Sequence, residues 1–181
     1  MTIKEGELPG LFIIEPKIFE DERGYFFESF HTEKFNQALD KKIEFVQDNE
    51  SKSQKGVLRG LHFQQPPYAQ GKLVRVIKGA VLDVAVDIRK GSSTYGKYQS
   101  IILSEENKKQ FYIPEGFAHG FLTLEDNTVF SYKCTNFYNP SAEGCLLWND
   151  KDLAINWNFN NPTLSKKDLI GEKLISFDSP F

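Results

Sequence analysis

Cysteine is almost absent from this chain, with only Cys134 and Cys145 present. That count excludes a small fold stapled by disulfides, and we read both residues as reduced thiols of a cytoplasmic protein. Methionine occurs once and histidine three times, so imidazole chemistry has few places to sit. No run of 18 apolar residues occurs, which excludes a membrane-spanning helix. The opening residues Met1 to Glu7 hold no apolar stretch of the signal-peptide kind. Positive charge is not in excess either. Lys and Arg number 22 against 25 Asp and Glu, a formal net charge of −3, so the chain is not built to coat nucleic acid. An anionic ligand must be met by a local basic cluster. Neither a Gly-x-Gly-x-x-Gly nor a Walker motif is present, which leaves no sequence sign of a dinucleotide or an NTP site.

What is abundant is aromatic and apolar. Sixteen Phe and a 40% hydrophobic fraction over 181 residues support a real core in one domain, residues 1–181, and favour strands over helical bundles. From Leu73 to Thr135 the chain reads as consecutive strands and turns. Leu73 to Lys78 is extended, Gly79-Ala80 turns, and Val81 to Ile88 alternates, with Leu82, Val84, Val86 and Ile88 on one face and Val81, Asp83, Ala85 and Asp87 on the other. Tyr98 to Leu103, Phe111 to Ile113, Gly120 to Leu124 and Thr128 to Thr135 continue the series. Helical signals are sparse. Thr32 is placed to cap a short helix with Phe35, Ala38 and Leu39 on its inner face. Ser165-Lys166-Lys167-Asp168 has the spacing of a capping box for a second short helix. Strands at short intervals, with helices only at the edges, predict an all-β sandwich or barrel.

The histidines are His31, His62 and His119. His31 precedes a helix cap and reads as a surface residue. His62 lies in Gly56-Val57-Leu58-Arg59-Gly60-Leu61-His62-Phe63-Gln64, where Arg, Gly and His crowd an otherwise apolar segment. His119 follows Pro114 and Gly116, which form a turn that delivers the imidazole to the next strand. A core histidine bonded to a carbonyl is the competing reading of each. Pro114-x-Gly116-x-x-His119 is similar to the second motif of the cupin superfamily, whose double-stranded β-helix often holds a metal. The first cupin motif needs His-x-His, and here Gln64 stands two residues after His62. Two histidines without a third ligand fall short of a metal site, and no metal is expected.

Four segments in order, GVLRGLHFQ (56–64), QGKLVRVIKGAVLDVAVDIRKGSSTYGKY (70–98), IPEGFAHGF (113–121) and YKCTNFYNP (132–140), resemble the dTDP-4-dehydrorhamnose 3,5-epimerases, from Gly10 to about Gly171. The resemblance implies a cupin-like jelly roll with short peripheral helices. It also implies inversion at C3 and C5 of dTDP-4-dehydro-6-deoxy-D-glucose through an enolate, without cofactor, in a homodimer whose N-terminal strands exchange between subunits. It further implies that His62 is the base, paired with Asp168, that Tyr132 is the opposing acid, and that Lys72 holds the enolate oxygen. An imidazole near pKa ~6.5 suits proton abstraction, and a phenol near ~10 arrives protonated.

Parity places Lys72 with Val74 and Val76, and Arg75 on the other face. Tyr138 stands as a supporting phenol. Arg23 and Arg59 match phosphate positions, where a guanidinium fork suits the oxygens. Phe19 matches a base-stacking position. Glu28 and Gln47-Asp48-Asn49 match the lining of the nucleotide and sugar pocket, with Glu143 and Lys167 as further contacts. His119 is assigned to the sugar near its ketone, with an auxiliary proton role. Arg59 and His62, three apart, should face opposite ways in a regular strand, so a bulge at Gly60 is expected. Phe63 and Phe137 stand where the family commonly has Tyr. A mono-epimerase of the same family, a non-catalytic nucleotide-sugar-binding jelly roll and a metal-dependent cupin are the alternatives.

Overall fold

A computed structural model describes residues 1–181. In chain order the strands are β1 (Thr2–Glu5), β2 (Phe12–Glu15), β3 (Ile18–Asp21), β4 (Gly24–Phe27), β5 (Gln47–Ser53), β6 (Leu58–Gln64), β7 (Lys72–Lys78), β8 (Ala80–Asp87), β9 (Tyr98–Ser104), β10 (Gln110–Ile113), β11 (Phe117–Thr123), β12 (Thr128–Cys134) and β13 (Glu143–Cys145). One helix, α1 (Thr32–Leu39), interrupts them. The strands form a six-stranded sheet, β1-β2-β10-β7-β12-β5, a five-stranded sheet, β13-β6-β11-β8-β9, and the separate hairpin β3-β4. Every pairing between these strands is antiparallel.

The two large sheets pack face to face, and strand parity builds the layers. Val74 and Val76 of β7, Val81 and Ala85 of β8, Phe117 and Phe121 of β11 and Phe130 of β12 meet in the central core. The alternate residues Val84, Val86, Ala118 and Leu122 face out of the five-stranded sheet. There the C-terminal segment covers them with Leu153 and Trp157. Outside the six-stranded sheet, Leu73 and Tyr112 pack against Phe35 and Leu39 of α1. The alternation expected for residues 81–88 is therefore the one observed.

Several local expectations are corrected. His31, half-buried rather than on the surface, is the N-cap of α1, makes no side-chain cap bond, and leaves Thr32 as the first helical residue. Ala38 is exposed, because Phe35 and Leu39 already fill the narrow inner stripe of so short a helix. The second helix is only a 3-10 turn, Asp168–Ile170. The strand expected at Gly120 begins earlier, at Phe117, since the turn ends at Gly116.

The bulge lies in β6. His119 pairs with His62 and Phe121 with Arg59, so three steps on β6 match two on β11. Leu58, Leu61 and Phe63 face the outer cluster, and the extra residue returns Arg59 and His62 to the inner side together. Gly60 has φ +120, and a Cβ there would lie 2.5 Å from the Gly120 Cα and 2.7 Å from the His119 carbonyl oxygen. Both obstacles are backbone and cannot rotate away. We expect Gly60→Ala to lower unfolding free energy by roughly 2–4 kcal/mol, read from urea unfolding. A variant as stable as the parent would mean that the strands do not approach so closely.

Candidate active site

Inward-facing polar residues from both sheets enclose a cavity of about 370 Å³, lined among others by Arg59, His62, Lys72, His119, Tyr132 and Asp168. An adjoining cavity of about 350 Å³ shares His62, Lys72 and Tyr132 and adds Gln47, Asn49, Tyr138 and Glu143. His62 and His119 come from the five-stranded sheet, and Lys72 and Tyr132 from the six-stranded sheet. The imidazoles therefore face the amine and the phenol across the gap.

Asp168 is 2% exposed, and its Oδ1 lies 2.7 Å from His62 Nε2. The contact is close without hydrogen-bond alignment, and it becomes an ion pair only when the imidazole takes a proton. The other oxygen, Oδ2, accepts from the Ser165 hydroxyl at 2.7 Å and its backbone N–H at 3.2 Å, while the Asp168 N–H donates back to Ser165 Oγ at 3.3 Å. One carboxylate thus serves the box and the histidine at once. Burial raises the Asp168 pKa, but the adjacent His62 ring, with bonds from Ser165 and the Gly60 N–H, outweighs it and holds the group below its ordinary value.

Lys72 shares the inward parity of Val74 and Val76 on β7, stands opposite Cys134 of β12 and lines the cavity with Phe130. Burial pushes its pKa down, with Cys134, Asp83 and Glu143 pulling the other way. Burial pushes the Tyr132 phenol up, and Arg59 opposes it, so Tyr132 is protonated at neutral pH. Arg59 donates from Nε and Nη2 to the neutral Ser53 hydroxyl at 3.2 Å. Its charge remains available to an anion.

Sequence reading missed Asp83. It is fully buried and holds His119 Nε2 at 3.0 Å, while the His119 ring stacks near Phe130. Burial pushes the His119 pKa down and Asp83 opposes it. The signal was there: Asp83 sits on the inner face of an apolar strand, where a carboxylate needs a partner.

Other expected residues fall differently. Asp48 turns to the outer face, where Lys133 Nζ lies 2.9 Å away, because parity separates it from Gln47 and Asn49. Glu143 accepts from Lys167 at 2.6 Å and from the Tyr138 hydroxyl at 3.2 Å on the rim. Phe19, Arg23 and Glu28 line neither of these two cavities but separate surface pockets, Phe19 with Glu28 beside α1 and Phe19 with Arg23 on the hairpin. Phe19 and Arg23 lie on the β3-β4 hairpin, where Arg23 pairs with Asp21 at 2.5 Å, and Glu28 just beyond it pairs with Lys34 at 2.8 Å.

The cupin-type metal set does not fit these residues. Gln64, at the position of its second ligand, spends its amide on the Tyr68 and Phe137 carbonyls at 2.6 and 3.1 Å and on the Asn139 N–H at 2.8 Å. His119 Nε2 is occupied by Asp83.

The dTDP-4-dehydrorhamnose 3,5-epimerase family model matches residues 5–175. The chain belongs to this family. A dTDP-4-dehydrorhamnose 3,5-epimerase of Shigella flexneri is 56% identical over 98% of both chains. A dTDP-6-deoxy-D-glucose-3,5-epimerase of Legionella pneumophila, solved with dTDP-4-keto-L-rhamnose, is 50% identical at TM-score 0.94, covering 98% of this chain and 94% of that one. A 3'-monoepimerase of Streptomyces bikiniensis, solved with dTDP-quinovose, has TM-score 0.90 at 34% identity, covering 94% of this chain and 86% of that one. The family's jelly roll is the fold described above.

For the His119–Asp83 pair we expect Asp83→Asn to lower the His119 pKa further, because the opposing negative charge is lost. Asp83→Ala should also cost about 1–3 kcal/mol by leaving a buried ring nitrogen unpaired. Imidazole NMR titration and urea melts read the two effects. A His119 pKa that rises in Asp83→Asn would contradict the assignment.

Proposed function

We propose that the chain epimerises C3 and C5 of dTDP-4-dehydro-6-deoxy-D-glucose to give dTDP-4-dehydro-L-rhamnose. The observation that carries the mechanism is the placement of the His62–Asp168 pair opposite Lys72 and Tyr132 across one cavity. A proton α to the sugar ketone passes to His62, and the anionic Asp168 stabilises the imidazolium that forms. Negative charge moves to the ketone oxygen, where the Lys72 ammonium holds it in an enclosed site. Tyr132 then gives its phenolic proton to the opposite face of the enolate carbon, inverting it. His62 and Tyr132 exchange with water before the next carbon is processed, so solvent protons enter the product.

Arg59 takes the diphosphate. Gln47, Asn49, Tyr138, Glu143 and Lys167 border the nucleotide-sugar cleft, and His119 contacts the sugar. Asp48 stays outside it in this chain. We further propose a cytoplasmic homodimer. Phe26 is 71% exposed and Tyr25 56% on the hairpin, a costly aromatic surface for a lone chain. Phe19, Arg23 and Glu28 complete the nucleotide site of the partner subunit. The free state of both cysteines fits the cytoplasm.

In D2O, double epimerisation places deuterium at both C3 and C5, whereas a mono-epimerase labels one carbon only. His62→Asn should cut exchange by roughly 10²–10⁴-fold while dTDP still binds. Tyr132→Phe should exchange without inverting. Full double epimerisation by Tyr132→Phe would remove it as the acid. For the dimer, mixing inactive His62→Asn with Arg23→Ala should restore activity, since one site of the mixed dimer is then intact. No gain on mixing would place Arg23 in its own chain's site.

A further inference from the structure

Strand β13 adds a residue that the epimerase reading does not use. Cys145 pairs directly with His62 across β13 and β6, which puts the thiol and the imidazole on one face of the sheet. Asp168 reaches the same spot from the C-terminal segment. One ligand atom from each of His62, Cys145 and Asp168 lies within 4.8 Å of the others. The Cys145 thiol is half-buried and donates to the Leu146 carbonyl at 3.4 Å. His62 Nε2 is buried and lacks a well-directed hydrogen-bond partner.

We infer that His62, Cys145 and Asp168 form an inhibitory site for a soft divalent cation of the zinc type. The donor set of one nitrogen, one sulfur and one oxygen is that of zinc, with bonds of about 2.0–2.3 Å that set tetrahedral ligand atoms roughly 3.3–3.6 Å apart. The present spread, from 2.7 Å between His62 and Asp168 to the 4.8 Å limit, brackets that spacing. Binding displaces the Cys145 thiol proton to solvent. Binding involves no redox change. It occupies the imidazole lone pair, and with it the base. Magnesium and calcium, which prefer all-oxygen ligands, should not compete. The inhibitory effect rests on the reading of His62 as base, whereas the binding does not.

Cobalt(II) titrated into the metal-free full-length protein should give a thiolate-to-cobalt charge-transfer band in the near ultraviolet, absent in Cys145→Ala. Zinc should inhibit epimerisation reversibly. Cys145→Ala should keep normal turnover without metal and need at least ten-fold more zinc for the same inhibition. A band that persists in Cys145→Ala would assign the thiolate to Cys134 and overturn the proposal, as would no band at all or unchanged zinc sensitivity. If no substrate is turned over, the cobalt spectrum still decides the site, and only the epimerase reading fails.

Discussion

One buried carboxylate joins three parts of the molecule. Asp168 caps its own turn through Ser165, accepts from the Gly60 N–H at 3.3 Å and approaches His62 Nε2. The C-terminal segment is thereby tied to the bulge, and the bulge to the imidazole. Each bond to the ionised form also keeps the carboxylate charged in a buried place, where an unpaired charge would cost several kcal/mol. The support of the histidine and the closure of the outer layer are thus one structural event.

The cavity concentrates charge that the chain as a whole does not have. With a net charge of −3, attraction for a nucleotide diphosphate must come from position. Arg59 is held by a neutral hydroxyl, and Lys72 stands on an apolar stripe of β7. Arg23 and Lys167, by contrast, are paired with carboxylates. A cation that is oriented but not neutralised is the kind that stabilises a developing anion. The same enclosure pushes the Lys72 amine and the Tyr132 phenol in opposite directions, each toward its neutral form.

Much of this was legible because a strand has period two. The faces of residues 81–88 and the company of Lys72 followed from alternation alone, and the conflict between Arg59 and His62 located the bulge. Alternation also contained facts that were not drawn from it. It puts Asp83 inward and Asp48 outward, although both were open to reading from position. The short strands β1 to β4 left little trace, because four residues at the edge of a sheet carry no sustained pattern. The Thr32 cap failed because a cap is a matter of backbone dihedrals, and His31 took the extended conformation instead.

Sequence alone determined the class of fold, the family resemblance and the residue types able to move a proton beside a ketone. These depend on local periodicity and on short motifs, both written along the chain. Tertiary structure decided which carboxylate serves which histidine, since Asp168 and Asp83 reach His62 and His119 only through sheet packing and the returning C-terminal segment. It also decided that Phe19, Arg23 and Glu28 stand away from their own chain's cavity, because the direction of a hairpin is set by what it packs against.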